Sequence, residues 1–245
     1  YAFFHPRMPD EPLIFVEVAL VNGIAGNVQD LLDTNAPATD PKAADTAIFY
    51  SISNAQKGLA GISFGNFLIK RVVQELKQEF PNLKTFSTLS PIPGFRRWLN
   101  EIMAEGAPKL FTAEERKALN AASGRKGGAK GSMLAALDNA SWIKDEKTVE
   151  ALEPPLLRLA ARYLAKEKGR KGRALDPVAH FHLSNGARLE RLNWLGDTSD
   201  KGLTQSAGMM VNYLYDLNRI ENNHESYSLS GSVDTSSGIK ALLKG

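Results

Sequence analysis

The first ninety residues carry the apolar runs of an α/β domain. Residues 13–20 are almost continuously apolar and rich in β-branched side chains, and they follow a Pro-Asp-Glu-Pro turn signal, so they predict a central strand. Residues 46–53 and 85–90 have the same character and predict two further strands. Pro91 and Pro93 end the third strand, because proline cannot donate to a strand ladder.

An amphipathic helix is predicted between the second and third strands. Its apolar positions recur in steps of four, and charged or amide side chains fill the positions between them. The apolar positions are Phe64, Leu68, Val72, Leu76 and Phe80. Pro81 stops the helix, and its apolar face is expected to pack against the sheet.

From residue 96 to about residue 168 the pattern is helical, which predicts an inserted helical subdomain. Thr112 and Glu115 stand at the spacing of a capping box. Residues 141–151 and 155–164 carry helical spacing, and Pro155 suits the first turn of a helix.

Strand character returns after this subdomain. Residues 180–183 read as a strand, Asn185-Gly186 is a hairpin signal, and residues 188–195 supply the partner strand. Residues 209–217 predict a helix.

The end of the chain carries few structural signals. Residues from 225 onwards are rich in serine and glycine and predict no regular structure. We therefore expect one domain over residues 1–220 and a flexible tail over residues 221–245.

Composition narrows the class of protein. The 245 residues include no cysteine and carry a net charge of +3, which excludes disulfide scaffolds, cysteine metal sites and cysteine nucleophiles. The charge excess is small and its basic clusters lack interleaved aromatic residues, so we expect no nucleic-acid partner. No apolar run reaches the length of a membrane span, and we expect no membrane association. Because the chain starts at Tyr1 without an initiator Met, we expect a fragment or a processed chain.

A glycine-rich loop is the first candidate for chemistry. Gly58, Gly61 and Gly65 lie between a predicted strand and the start of the amphipathic helix, where backbone N–H groups can bind a diphosphate. The spacing matches neither a Walker loop nor a dinucleotide fingerprint. The alternative is that these glycines serve only a tight turn and close helix packing.

Two histidines and a serine are the other candidates. On a strand, His180 and His182 would point to one face, which leaves a metal pair, acid/base chemistry and a purely structural role all open. Ser90 closes a predicted strand, where its hydroxyl either caps the turn or faces a ligand at the sheet edge.

Several segments together resemble the catalytic region of malonyl-CoA decarboxylases. The most specific is Leu-Ser-Pro-Ile-Pro-Gly-Phe at residues 89–95, and the order and spacing of the segments agree with the family as far as about Leu217. The segments are residues 47–53, 61–73, 86–95, 156–164, 176–187, 193–194 and 206–215.

The resemblance implies the fold of Gcn5-related N-acetyltransferases, a mixed α/β sheet flanked by helices, here with the helical insertion at about residues 96–168. It also implies that longer family members begin with an all-helical domain, absent here, through which homo-oligomers assemble. The expected location is the cytoplasm, with an organelle as the alternative.

The resemblance further implies a set of site residues. It identifies Ser90 and His182 as catalytic, and it places Ser51 and Tyr215 beside them. The malonyl-CoA loop falls on Ala60, Gly61, Ile62, Ser63, Phe64, Gly65 and Asn66. Ser63 stands where some members carry a glutamate.

The implied reaction converts malonyl-CoA to acetyl-CoA and carbon dioxide through an enolate. It needs no metal, biotin or other cofactor, because coenzyme A is part of the substrate. Two alternatives share the coenzyme A site: an acyl-CoA-dependent acyltransferase and a non-catalytic CoA-binding module.

Overall fold

The structure, a computed structural model, describes residues 1–37, 39–59, 67–106, 110–123 and 128–244. The chain divides into two units, each built from three stretches of sequence. The first unit comprises Tyr1–Ser90, Phe181–Glu190 and Val211–Asp234, and the second comprises Pro91–His180, Arg191–Met210 and Thr235–Gly245.

Strands form one mixed sheet, which confirms the predicted mixed α/β class. Its order is β1-β2-β3-β4-β7-β5, with β6 also pairing with β7. β3 and β4 are parallel, whereas β1–β2, β2–β3 and β4–β7 are antiparallel. The strands are β1 (Ala2–His5), β2 (Met8–Val21), β3 (Thr46–Asn54), β4 (Thr85–Thr88), β5 (Ser90–Pro91), β6 (Arg188–Asn193) and β7 (Met210–Leu214).

Helices account for most of the remaining described residues. They are α1 (Val28–Leu31), α2 (Phe67–Glu79), α3 (Phe95–Ala104), α4 (Ala113–Ser123), α5 (Gly128–Leu137), α6 (Glu146–Ala165), α7 (Pro177–Ser184), α8 (Asp200–Ser206), α9 (Ile220–Ser230) and α10 (Ser237–Leu242). Short 3-10 turns lie at Pro41–Ala43, Lys57–Leu59, Ala140–Lys144 and Arg170–Gly172. None of the described helices has both the length and the apolar character needed to cross a bilayer.

The three predicted N-terminal strands and the amphipathic helix are confirmed. β2 lies between β1 and β3, and its alternation leaves Ile14 and Val16 buried while Phe15 is exposed. α2 buries its apolar stripe, which includes Val72 and Leu76, and ends before Pro81.

The helical insertion is also confirmed, because α3, α4, α5 and α6 all lie within the second unit. The capping box forms as predicted. The Glu115 N–H donates to Thr112 Oγ1 (3.2 Å), and the Thr112 N–H donates to Glu115 Oε2 (2.9 Å).

The position predicted for Pro155 is wrong. Pro154 and Pro155 lie inside α6, which runs unbroken from Glu146 to Ala165. Leu152 and Leu156 are fully buried on either side of the prolines. Burial of this apolar stripe therefore holds the helix together despite the hydrogen bonds that proline removes.

The strand predicted at residues 180–183 is wrong, because these residues lie in α7. The Asp176 carboxylate accepts hydrogen bonds from the Val178 N–H (2.9 Å) and the Ala179 N–H (3.0 Å), and Pro177 occupies the first helical position. Residues two apart on a helix point in different directions, so His180 and His182 do not share a face.

The hairpin predicted at Asn185-Gly186 is wrong for the same reason. Gly186 has φ of +78° and ends α7, since left-handed backbone is the usual helix terminator and favours glycine. The strand predicted after it is confirmed as β6.

Two predictions near the end of the chain are wrong. Residues 210–214 form the strand β7 and not a helix. The prediction failed because a strand with both faces covered has the same continuous apolar run as a buried helix. The predicted tail contains α9 and α10. Ser236 Oγ caps α10 by accepting from the Ile239 N–H at 3.2 Å.

Candidate active site

Ser90 lies where the sheet strand β4 passes into β5, and its side chain is buried. Its hydroxyl donates to Thr88 Oγ1 at 2.9 Å. Thr88 is itself tied to β7, because its Oγ1 accepts from the Tyr213 N–H (3.0 Å) and its carbonyl accepts from Asn212 Nδ2 (2.6 Å). The sheet therefore fixes the position of the Ser90 hydroxyl.

His182 joins this hydroxyl to a tyrosine. Its Nε2 lies 3.2 Å from Ser90 Oγ, and its Nδ1 lies 2.8 Å from the Tyr215 hydroxyl. The ring also stacks on the Tyr213 ring, with centroids 4.6 Å apart and planes 22° apart. Thr88, Ser90, His182 and Tyr215 form one hydrogen-bonded series, called here the polar row.

The polar row is electrically neutral near pH 7. Burial lowers the pKa of His182 to about 3, because a buried imidazole resists charging. Burial also raises the pKa of Tyr215 well above its ordinary value. His182 is therefore an uncharged imidazole, and Tyr215 keeps its proton.

The Tyr215 hydroxyl sets the direction of these hydrogen bonds. Within the described residues, this buried hydroxyl has His182 Nδ1 as its hydrogen-bonding partner, and a buried donor left without an acceptor is costly. The Tyr215 O–H therefore donates to Nδ1, which leaves the imidazole proton on Nε2. Nε2–H then donates to Ser90 Oγ, consistent with the Ser90 hydroxyl donating to Thr88.

Ser51, also predicted to lie at the site, is on β3, the strand next to β4. The parallel pairing of β3 with β4 runs as far as Phe49 and Thr88, so Ser51 and Ser90 each lie two residues beyond the last pair. On β3, Phe49 pairs with Val18 of β2 and Ser51 pairs with the adjacent Glu17, which leaves Tyr50 as a bulge. The bulge breaks the alternation of side chains at this point. Among the described residues, Ser51 makes no hydrogen bond to the polar row.

The glycine-rich segment Ala60–Asn66, predicted to bind the substrate, lies outside the described residues. Within the described part of the chain, no group of three or more His, Asp or Glu side chains is arranged to hold a metal ion. A metal site formed by His180 and His182 would need both side chains on one face, and on the helix α7 they point in different directions.

Thr88 and Tyr213 contribute to the site without having been predicted. Thr88 precedes Ser90 by two residues in an extended segment, and this spacing could have indicated a shared face. Tyr213 and Tyr215 also stand two apart. Side chains two apart point the same way on a strand but not on a helix. Because a helix was predicted for residues 209–217, the two tyrosines were not expected to face the same side.

The chain is similar to malonyl-CoA decarboxylases both in sequence and in structure. The family model for the malonyl-CoA decarboxylase C-terminal domain matches residues 1–245. Mitochondrial malonyl-CoA decarboxylase of Anser anser anser is 46% identical over 93% of this chain and 46% of its own length, and that of Mus musculus is 45% identical over 99% of this chain and 50% of its own length. The chain thus spans about half the length of these curated relatives.

Solved structures show the same similarity. A crystal structure of malonyl-CoA decarboxylase from Rhodopseudomonas palustris matches this chain with a TM-score of 0.87 and 50% identity, and the match includes 98% of this chain and 52% of that protein's chain. The crystal structure of malonyl-CoA decarboxylase from Agrobacterium vitis matches with a TM-score of 0.86 and 49% identity, and that match includes 98% of this chain and 56% of the other.

Proposed function

Because the chain belongs to the family of malonyl-CoA decarboxylase C-terminal domains, we propose that it converts malonyl-CoA to acetyl-CoA and carbon dioxide with the polar row as its catalytic centre. The single observation that carries the proposal is the neutral His182, held between Ser90 and Tyr215 by hydrogen bonds of 3.2 and 2.8 Å.

Decarboxylation of a malonyl thioester makes two chemical demands. The bond to the carboxylate carbon breaks, and its electron pair moves towards the thioester carbonyl to give an enolate. The site must stabilise the negative charge that develops on the thioester oxygen. The enolate carbon then takes up one proton to give acetyl-CoA.

His182 is proposed as the proton donor. As a neutral imidazole it carries its proton on Nε2, the nitrogen that faces Ser90. When that proton leaves, Nδ1 can take the proton of the Tyr215 hydroxyl, which lies 2.8 Å away. The imidazole therefore does not become an anion, and the negative charge passes to the Tyr215 oxygen. Even with its raised pKa, a phenolate is a much weaker base than the enolate carbon, and solvent finally restores its proton.

Ser90 is proposed to orient the malonyl carboxylate or the enolate through its hydroxyl. Before substrate binds, Thr88 Oγ1 accepts the Ser90 O–H. On binding, this O–H is proposed to turn to the anion while Ser90 Oγ still accepts from His182 Nε2–H. A hydroxyl is suited to this role because it binds an anion without adding a charge that would resist loss of carbon dioxide.

The substrate is proposed to lie where β3 and β4 part, between Ser51 and Ser90. The segment Ala60–Asn66 would then bind the coenzyme A diphosphate ahead of α2, a role that stays a prediction from sequence. If it is correct, CoA binds with marked salt dependence, and Gly61→Asp weakens binding because it adds a side chain and a like charge. Unchanged CoA affinity in a folded Gly61→Asp variant would reject this role.

The decisive assay measures carbon dioxide released from malonyl-CoA in the absence of any acyl acceptor. Mass spectrometry of the acetyl-CoA formed in D₂O should show one deuterium incorporated at the methyl carbon. An acyltransferase would need an acceptor, and a CoA-binding module would release nothing, so either of those outcomes would reject the proposed function. His182→Ala is the matched negative control.

We also propose a setting for this activity, namely the thioesters of fatty acid metabolism in the cytoplasm, in a protein that forms homo-oligomers when the preceding domain is present. The family relationship supports this setting. Fractionation of cells and light scattering on the longer protein would test it.

A further inference from the structure

α7, which carries His182, ends in a turn of defined geometry. The Ala187 N–H and the Asn185 N–H both donate to the His182 carbonyl at 3.1 Å. Gly186 follows in the left-handed conformation with φ of +78°. This is a Schellman ending, in which the last turn is tightened by bonds back into the helix. His182 lies in that last turn.

Such an ending leaves other carbonyl oxygens in need of donors. Two of them receive a donor from α9. Asn223 Nδ2 donates to the Gly186 carbonyl at 3.1 Å, and His224 Nδ1 lies 2.5 Å from the Ser184 carbonyl. A carbonyl can only accept, so Nδ1 of His224 carries the proton. These two side chains bind the backbone two and four residues after His182.

The backbone of α9 also lies directly against the end of α7. A Cβ at Gly186 would clash with the Ile220 carbonyl, and the Ile220 side chain is fully buried. Glycine therefore allows the close approach of α9 as well as the helix ending.

α9 is anchored by Ile220 and Tyr227, whose side chains are buried. Two solvent-exposed ion pairs also lie near its start, with the Lys70 ammonium 2.8 Å from the Glu221 carboxylate and the Arg219 guanidinium 3.2 Å from the Asp234 carboxylate, and such pairs add little stability. Burial of its apolar side chains therefore makes α9 the support for the end of α7.

We propose that Asn223 and His224 are positioning residues for His182, and that α9 keeps Nε2 in hydrogen-bonding range of Ser90. This inference rests on the proposed function. α7 has only eight residues, so releasing its final carbonyls lets the turn that carries His182 shift. Misplacing a reacting group by about 1 Å can lower turnover about a hundredfold.

The first test compares two substitutions at one position. His224→Phe keeps a ring but loses the donor, and it should lower kcat about ten- to a hundredfold with the KM for malonyl-CoA changed less than about threefold. His224→Asn replaces Nδ1–H with an amide N–H, and it should retain kcat within about threefold. Rescue by asparagine is not expected if the ring serves only to fill space.

Ser230→Ala is the matched control on the same helix. Ser230 Oγ donates to the Ser226 carbonyl at 2.8 Å, a bond confined to α9 that does not reach α7. This variant should keep kcat within about twofold. Asn223→Ala removes the second bond to α7 and should reproduce the loss seen in His224→Phe, and it carries the test if His224→Phe does not fold.

A further comparison uses the residual turnover of His182→Ala. If α9 acts through His182, adding His224→Phe to His182→Ala should cause no further loss. A loss as large as in the wild-type background would overturn the proposal.

The His182 imidazole resonances separate this inference from the proposed function. His224→Phe should shift or broaden the His182 ¹⁵N signals, whereas Ser230→Ala should leave them unchanged. If the wild-type protein releases no carbon dioxide, the proposed function fails and these signals still decide the positioning role. Unchanged His182 signals in a folded His224→Phe protein would reject it.

Discussion

Ser90 Oγ and His182 Nε2 lie 3.2 Å apart although 92 positions separate the two residues in the chain. The pair has the spacing of a nucleophile and its base, yet the Tyr215 hydroxyl places the imidazole proton on Nε2. Ser90 therefore accepts a hydrogen bond from His182 and is not activated for attack on a carbonyl.

It follows that Ser90 should not become acylated. Protein mass spectrometry after rapid quenching of a malonyl-CoA reaction should show the unmodified mass, and no burst of free CoA should precede steady turnover. A malonyl or acetyl adduct on Ser90 would contradict the direction of hydrogen bonding derived for the polar row.

Ser90→Ala and His182→Ala should each lower kcat by a factor of about 10² to 10⁴, the range typical of acid/base and oriented hydrogen-bond catalysis. The double variant should lose little more than the worse single variant, because both groups act on one transition state. Steady-state kinetics and CoA affinity measured on the same preparations test this expectation. Multiplicative losses would show that the two residues act independently.

His180→Ala is the internal control for His182→Ala. His180 shares α7 with His182 but does not share its face, so its removal should change kcat less than about threefold. Activity should also survive exhaustive chelation. Loss of turnover on chelation would contradict the metal-independent mechanism.

Tyr215→Phe should lower kcat about ten- to a hundredfold while the fold is retained. The substitution removes the donor to His182 Nδ1, so the imidazole proton is no longer confined to Nε2 and cannot be replaced from the phenol. The ¹⁵N shifts of the His182 imidazole should report a mixture of tautomers. Tyr1→Phe, which removes an exposed hydroxyl 3.0 Å from Glu79 Oε2, is the control and should leave those shifts unchanged.

The buried His182 should make stability depend on pH in a defined window. Its pKa falls from 6.5 to about 3 on folding, so between these values the unfolded chain binds one more proton than the folded protein. The free energy of unfolding should therefore fall by about 1.4 kcal/mol for each pH unit of acidification across that window. Above pH 7 His182 is neutral in both the folded and the unfolded chain, so it adds no pH dependence there.

Urea denaturation at a series of pH values measures this dependence. His182→Asn should remove the contribution of His182 and leave that of the carboxylates, so the two proteins should diverge between pH 6 and 4. Parallel curves would show that His182 titrates normally in the folded protein.

Asp176 should be among the most costly residues to truncate. Its carboxylate is fully buried and accepts from the N–H groups of Val178, Ala179 and Gly94 and from the Tyr163 hydroxyl. Burial raises its pKa despite these donors. Asp176→Ala leaves several buried donors unpaired and should lower the free energy of unfolding by about 3 kcal/mol or more.

Denaturant melts of Asp176→Ala against Glu75→Ala test this cost. Glu75 is an exposed carboxylate that lies 3.1 Å from the equally exposed Arg71, and exposed ion pairs contribute at most about 1 kcal/mol. Equal losses in the two variants would contradict the role assigned to Asp176.

The predictions that the structure confirms rest on patterns that residues close together in the sequence satisfy. The four-residue repeat of α2 and the capping box at Thr112 and Glu115 are satisfied by neighbours in sequence, so the chain alone specifies them. The apolar run at residues 209–217 and the pair His180 and His182 carry no periodicity that separates a strand from a helix. β7 is a strand because partners on both sides complete its ladder, and α7 is a helix because Asp176 and Pro177 begin it.

The sequence by itself determined the α/β class, the family and the residue types of the site, since these follow from local periodicity and from motifs contiguous in the chain. Only the tertiary structure decided which residues meet. Pairing of β4 with β7 brings Thr88 to the backbone of Tyr213, α7 carries His182 between Ser90 and Tyr215, and burial keeps that imidazole neutral. Distances between residues remote in sequence and the polarity around a buried group are properties of packing, and no local pattern of side chains encodes them.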